Sequence, residues 1–409
     1  AQALKDDRQS IEKAVFCPAL EKENRWDEFN AWESIISDDA SEPDIEILPE
    51  DVAVLQYTGG TTGVLKGCCQ TNHAFVAKAM AQVQYFRPFL NDNDYENYMV
   101  IIALGMSHAF GFGQGIVVNL TMGGTIFFAE SLDEILKVIE KFRPTVWPSV
   151  PLWMKLIATH EEYQKYDISS LKVITCGSAP LPVDVIKRVE ELTGAVITEG
   201  YGMTETVNTI TINGHDHRKV GTVGVVNPNI EYLIVDQETG TEIVEDGTPG
   251  EIICRGECVM HEYWNNPEET AKMLRNGWLY TGDIGLIDEE GFLVICDRKK
   301  DLIITGGFNV FPSELEAVAI TAPNVADAIA IGVPNERRGE VPALFVQPMP
   351  GKTIDLAEVE QVCREKLSRF KVPKEYYTMD MLPKTKNRKP DRKAVRKMYL
   401  EHAFDDQKK

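Results

Sequence analysis

The sequence predicts an α/β protein: a large domain of mostly parallel sheet, a small β subdomain, and then an α+β domain. Three observations carry this. From about residue 50 to 210, short apolar runs alternate with amphipathic helical patterns, the rhythm of a parallel sheet covered on both faces. From about 220 to 297 the helical patterns stop, and short strands are parted by Gly, Asp and Pro, as in an antiparallel subdomain. A dense charge cluster, "DRKKD" at 297–301, then opens a new α+β pattern. The boundaries expected are 1–299 for the large domain (1–214 in α/β layers, about 215–297 in the β subdomain) and 300–409 for the last domain.

In the first region "VAVLQYT", "NYMVIIAL", "GTIFFA", "TVWPSVP", "LKVITCG" and "AVITEGYG" read as buried strands. Between them "LDEILKVIEKF" and "VDVIKRVEELTG" read as amphipathic helices. In the subdomain the strands are "EYLIVDQETGTEI", "GEIICRG" and "GFLVICD". Beyond it, Pro312 stands at a first helical position, and Ser313 with Glu316 has the spacing of a capping box. In "DLAEVEQVCREKL", Leu356, Val359, Cys363 and Leu367 share one helical face. Ligands of parallel α/β sheets sit at the carboxyl ends of the strands. Glycine-rich or small-residue stretches lie there, at 58–67, 177–180 and 200–204.

The 409 residues carry 63 Asp and Glu against 42 Lys and Arg, a net charge of -21. That balance disfavours general nucleic-acid binding, which depends on Lys and Arg displacing counterions. The eight cysteines include no CxxC pair, which reads as free thiols in a reducing cytoplasm rather than a zinc or disulfide framework. No uncharged apolar run reaches the ~18–20 residues of a membrane helix.

"YTGGTTGVLKG", residues 57–67, directly follows an apolar strand. It fails the GxxxxGK[ST] fingerprint, because Lys66 follows Leu65 and precedes Gly67. The physical logic of an anion loop still holds. Gly59, Gly60 and Gly63 let backbone N–H groups approach an anion, Thr58, Thr61 and Thr62 offer hydroxyls, and Lys66 adds charge. A plain glycine turn is the alternative.

Five further stretches follow in order: "GSAP" (177–180), "EGYGMTE" (199–205), "LYTGDIG" (279–285), "DRKKDLIITGGFNVFPSELE" (297–316) and "LPKTKNRK" (382–389). Together with the opening loop they resemble the adenylate-forming enzymes: acyl- and aryl-CoA ligases, adenylation domains of peptide synthetases, and firefly luciferase. The resemblance runs from about residue 50 to 395. It implies two half-reactions. A carboxylate attacks the α-phosphate of ATP, giving an acyl-adenylate and pyrophosphate; a thiol, usually of coenzyme A, then displaces AMP. It also implies Mg2+, and a small-molecule carboxylic acid as partner. Homodimerisation stays open.

The resemblance assigns roles residue by residue. Thr58 to Lys66 form a mobile loop over the β- and γ-phosphates. Ser178, Ala179 and Pro180 wall the adenine, and Gly200, Tyr201 and Gly202 form the turn on which it stacks, flanked by Glu199 and Met203. Thr204 contacts the α-phosphate and Glu205 holds Mg2+. Asp283 takes the ribose hydroxyls, with Arg298 beside it. Taken alone, Asp283 also reads as a turn cap after Gly282, and Glu205 as a solvated helix-start acid.

Lys389 occupies the lysine position of the family's PKTxxGK pattern, although Arg388 replaces the usual Gly and Pro390 follows. It bridges carboxylate and α-phosphate, two anions that repel; Lys386 is the alternative. Lys300 matches the hinge about which the C-terminal lid swings. Gly306 and Gly307 then let the pantetheine arm of CoA pass close to the backbone.

"MSHAFGFGQG" (106–115) aligns with the acyl pocket, with His108 as its gate. Phe110 and Phe112 line it together with Gly177, and Gly111, Gly113 and Gly115 free volume. The segment carries no Asp or Glu to meet an ammonium, which favours a fatty or aromatic acid over an amino acid. His215 and His217 read as a loop. The 56 residues before the phosphate loop are fewer than the family usually carries, so part of the first lobe is expected to be absent, leaving a sheet edge exposed. Two alternatives stay open: an adenylating enzyme that loads a carrier-protein thiol, and a non-catalytic nucleotide or acyl-AMP binding protein.

Overall fold

Val100, Ile101 and Ile102 of the strand Met99–Ile102 serve two cores at once, because successive strand side chains point to opposite faces. In the computed structural model, which describes residues 15–16, 30–31, 44–59, 65–160, 163–207, 209–385, 390–404 and 407, Ile101 packs with Trp147, Ile174 and Ile197 beneath three helices. These are Leu132–Phe142, Pro151–Thr159 and Val183–Thr193. Val100 and Ile102 face the other way, onto Phe86, Val118 and Met122. The expected α/β layering is therefore present. Parallel strands run in the order Val196–Tyr201, Val173–Cys176, Val146–Ser149, Met99–Ile102, Thr125–Phe128. Thr211–Ile212 and Val225–Val226 extend this sheet antiparallel beside Val196–Tyr201.

Local chemistry ends the helices where the pattern predicts. Ser131 caps Leu132–Phe142 by accepting from the Glu134 N–H, and Gly194 closes Val183–Thr193 with a φ of 71°. Ile139 is fully buried in this core. An Ile139→Ala variant is expected to lose about 2–5 kcal/mol, read as a lower guanidinium midpoint.

One strand is placed differently from expectation. "VAVLQYT" forms Val52–Gly59, paired antiparallel with Leu65–Thr71 and, through it, with Glu262–Tyr263. It is not a buried strand of the parallel sheet: Leu55 and Tyr57 face outward and are exposed. A hairpin pairs its strands through a short connection, whereas a parallel partner requires a long crossover.

The β subdomain is antiparallel, with Ile230–Val235, Gly250–Gly256, Trp278–Ile287 and Leu274–Arg275 in order and Leu293–Arg298 pairing Trp278–Ile287. In the last region Phe308–Val310, Ile303–Thr305, Gly339–Pro348 and Val325–Asn335 form an antiparallel sheet, with Glu375–Thr378 joined parallel. Helices Pro312–Ala319 and Leu356–Lys366 cover one face and Arg392–Leu400 the other. Val359, Cys363 and Leu367 enter the first of these cores as the spacing requires.

The expected capping box does not form. Ser313 Oγ donates to the Cys296 carbonyl, and Glu316 accepts from the Ala330 N–H and from Arg392. Tertiary partners win because Asp297 already accepts from the Ser313 N–H.

The chain divides into units 1–48 and 49–409. In the first, Val15–Phe16 pairs parallel with Asn30–Ala31. Among the described residues no helix is long and apolar enough to cross a membrane.

Candidate active site

The parallel strands deliver two loops at their carboxyl ends. Val173–Cys176 leads into Gly177, Ser178, Ala179 and Pro180. A Cβ at Gly177 would lie 3.6 Å from the Phe110 ring, an ordinary contact, so the two segments meet here without glycine being required. Ser178 holds a φ of 72°, unusual outside glycine. Ser178, Ala179 and Pro180 are exposed.

Val196–Tyr201 leads into Gly202 and Met203 and then the short turn Thr204–Thr206. A Cβ at Gly200 would stand 3.0 Å from the Thr211 carbonyl of the neighbouring strand. Glu199 accepts from the Leu181 N–H at 3.3 Å and so ties the two loops together. Burial pushes its carboxyl up to about 7. A carboxyl raised in the folded state contributes stability below its unfolded value, lost as pH rises through the folded one. A Glu199→Gln variant should therefore flatten the loss of stability between about pH 4.5 and 7, seen by comparing urea midpoints at the two ends.

Tyr201, Asp283 and Arg298 converge from three strands. The Tyr201 hydroxyl donates to Asp283 Oδ2 at 2.8 Å, and Arg298 Nε lies 3.4 Å from Asp283 Oδ1. Asp283 sits inside Trp278–Ile287, registered against Arg298, and is not a turn cap. Gly282, with a φ of 70°, bends the strand and donates its N–H to Glu251. Glu251, which the motifs did not single out, is buried and also binds Lys299 at 2.7 Å.

Thr58 and Lys66 face each other across the hairpin, with Gly59 opposite Leu65. Gly60, Thr61, Thr62 and Gly63 lie outside the described residues. Lys66 pairs with Glu269 and sits 4.9 Å over the Tyr263 ring. Glu269 is held down to about 2 by Lys272 and Lys66. The Tyr263 hydroxyl donates to Glu205 Oε1 at 2.6 Å. Glu205 is buried, not solvated, and burial raises its pKa. Tyr263 escaped the sequence reading because its strand is two residues long and its partner is 58 residues away.

His108 is exposed, with its Nδ1 accepting from the Phe110 N–H at 3.2 Å. Phe110 opens the π-helix Phe110–Val117 and is buried; Phe112 meets Phe75 edge-on at 5.6 Å. The glycines here do not all free volume. A Cβ at Gly111 would lie 2.2 Å from the Gly105 carbonyl, and one at Gly115 3.1 Å from Ile102. They allow close packing.

Lys300 is exposed in the turn Lys299–Asp301, and partial desolvation of its ammonium lowers its pKa. Gly306 and Gly307, with φ of 58° and 84°, form the two-residue turn joining Ile303–Thr305 to Phe308–Val310. Both values are positive, as a tight hairpin turn requires. Lys389, with Lys386 and Arg388, lies outside the described residues. The base of its loop is closed by a bridge between Lys384 and Pro390, and by the Asp391 N–H on the Pro383 carbonyl at 3.0 Å. Arg392 then binds Glu316 through both carboxylate oxygens and reaches Asp301 at 3.7 Å. His215 and His217 lie in a loop, His215 on Asp216. No group of three or more His, Cys, Asp or Glu able to share a metal ion occurs among the described residues.

Known proteins with this arrangement can be compared directly. The pattern of the AMP-binding enzyme family matches residues 1–264, and that of the AMP-binding enzyme C-terminal domain matches 314–389. A long-chain-fatty-acid–CoA ligase of Bacillus subtilis is 38% identical over 344 residues, 83% of this chain and 60% of that protein. The chain thus spans about three-fifths of the length of the curated relatives it matches. ATP-bound MatB from Rhodopseudomonas palustris superimposes with a TM-score of 0.79 at 33% identity, covering 87% of this chain and 69% of that one. The o-succinylbenzoate CoA synthetase of Bacillus subtilis, in complex with ATP and magnesium, gives 0.78 at 27% identity, covering 90% and 75%. On the strength of both patterns and these likenesses, the chain belongs to the AMP-binding enzyme family.

Proposed function

We propose that this protein is an ATP-dependent acid–CoA ligase acting on a fatty or aromatic carboxylic acid. The observation that carries this reading is the convergence of Tyr201, Asp283 and Arg298 beside the Thr204–Glu205 turn. An aromatic face and a carboxylate suit a purine and the hydroxyls of its ribose. The name of the Bacillus subtilis relative supports an aliphatic acid, and the apolar Phe110–Phe112 segment agrees.

In the first half-reaction a carboxylate oxygen attacks the α-phosphorus of ATP and pyrophosphate leaves. Lys66 and the loop before it would face the β- and γ-phosphates, Thr204 the α-phosphate, and Lys389 both reacting anions. Glu205 fits a magnesium site: its carboxylate is buried against a neutral tyrosine hydroxyl, so a hard cation would relieve the cost of its charge. The ion would supply neutralisation of phosphate charge. In the second half-reaction the CoA thiol attacks the acyl carbon, and AMP leaves with the carboxylate oxygen. A swing about Lys300, at a boundary near residue 299, would withdraw Lys389 and bring Gly306 and Gly307 toward the acyl carbon. We place the protein in the cytoplasm, its described cysteines being free thiols.

The test is a screen of carboxylic acids for acid-dependent ATP–pyrophosphate exchange, with hydroxamate trapping of the acyl-adenylate. Exchange with fatty or aromatic acids, followed by CoA-dependent AMP release, is expected. No exchange with any acid would contradict the reading, and AMP release only with a carrier-protein thiol would redirect it.

A further inference from the structure

Lys66, Cys68 and Gln70 alternate along Leu65–Thr71 and therefore share one face of the hairpin. They stand opposite Thr58, Gln56 and Val54 of the partner strand. This inward face meets the Thr204–Glu205 turn. Gln70 is almost fully buried, at 1% exposure, and its Nε2 donates to the Thr204 carbonyl at 2.6 Å. Across the hairpin, the buried Gln56 donates to the Ser107 carbonyl, next to His108. Two neutral amides thus hold backbone carbonyls of two candidate site segments. Neither adds a charge that would compete with Lys66.

The turn that Gln70 holds depends on outside support. Val207 follows it in the left-handed region, at φ 47°. That conformation is costly for a β-branched residue and persists only where surrounding contacts enforce it. The enforcement is visible. Glu205 accepts from the Met260 N–H at 2.7 Å and from Tyr263, and Thr209 accepts from Asn227 at 3.1 Å. Tyr263 belongs to the strand paired with Leu65–Thr71. The same small sheet therefore grips the turn twice, through Gln70 at the Thr204 backbone and through Tyr263 at the Glu205 carboxylate.

We propose that Gln70 is a positioning residue for adenylate formation: its amide fixes the Thr204–Glu205 backbone in register with the hairpin that carries Lys66. This rests on the acid–CoA ligase reading above. Gln70 touches no reacting atom in it. Its role is to keep the Thr204 hydroxyl and the Lys66 ammonium at a set separation, and a misplacement of about 1 Å in such a site costs about a hundredfold in rate.

The experiment compares Gln70→Leu and Gln70→Glu with the unmodified full-length protein. Readouts are acid-dependent pyrophosphate exchange, thioester formation from saturating supplied acyl-adenylate, and Tm. Gln70→Leu should lower the exchange rate about ten- to a hundredfold while thioester formation stays within about threefold. Gln70→Glu keeps the volume and decides the matter if the leucine variant does not fold. Ionised, it repels the Thr204 carbonyl; protonated, it donates as the amide does. Its exchange relative to wild type should therefore recover as pH falls from about 8 to about 6. Wild-type exchange rates in both variants, equal loss of both half-reactions, or no recovery at low pH would overturn the proposal. Absence of exchange in the unmodified protein would instead overturn the ligase reading itself, and this inference with it.

Discussion

Replacing Lys389 with alanine is expected to lower adenylate formation by about 10²–10³-fold and to leave thioester formation from supplied acyl-adenylate nearly intact. The reason is electrostatic. A carboxylate and a triphosphate repel each other as they approach, and charge on the transferring oxygens peaks in the transition state. An ammonium group between them stabilises that state more than the separated reactants, which is what accelerates a step. The second half-reaction joins a thiol to a neutral acyl carbon and makes no such demand. The loop that carries Lys389 is closed at its base by Lys384 and Pro390, and Arg392 just beyond it binds Glu316 and reaches Asp301 in the turn that holds Lys300. These contacts join the segment after the loop to the turn about which the proposed swing would occur. The check is to measure both half-reactions separately. Equal loss in both would count against a swing that removes the lysine between them.

The second large effect is expected at Asp283. An Asp283→Asn variant keeps the size of the side chain and still offers the Tyr201 hydroxyl an oxygen. What it loses is the charge that would accept both ribose hydroxyls. Hydrogen bonds to charged groups contribute about 1.5–3 kcal/mol, so the KM for ATP should rise about ten- to a hundredfold while Tm changes little. Arg298, relieved of its partner at 3.4 Å, is more than half exposed and can turn to solvent. A lowered Tm with an unchanged KM would assign Asp283 to structure alone.

The parts legible in the sequence were those set by local pattern. Leu132–Phe142 and Val183–Thr193 occur where the helical periodicity put them, because each buries one apolar stripe on the sheet. Six motifs in order likewise pointed to the family, and Tyr201, Asp283 and Arg298 do meet in space. The parts that stayed hidden depend on distant partners. Trp278–Ile287 reads in the sequence only as a motif, since Gly282 interrupts it with a positive φ and its register is set by Gly250–Gly256. Nothing near Gln70, Tyr263 or Glu251 in sequence announces that each reaches across the molecule to a site segment. Gly111 and Gly115 show the converse: local pattern suggests open space, and packing against Gly105 and Ile102 fills it.

The central claim is that this site joins a carboxylate oxygen to the α-phosphorus of ATP. It is tested most directly by supplying the acid labelled with ¹⁸O in its carboxyl group, together with ATP and CoA, and weighing the nucleotide released. An acyl-adenylate route transfers one labelled oxygen from the acid to AMP. Unlabelled AMP, or label found instead in inorganic phosphate beside ADP, would contradict it.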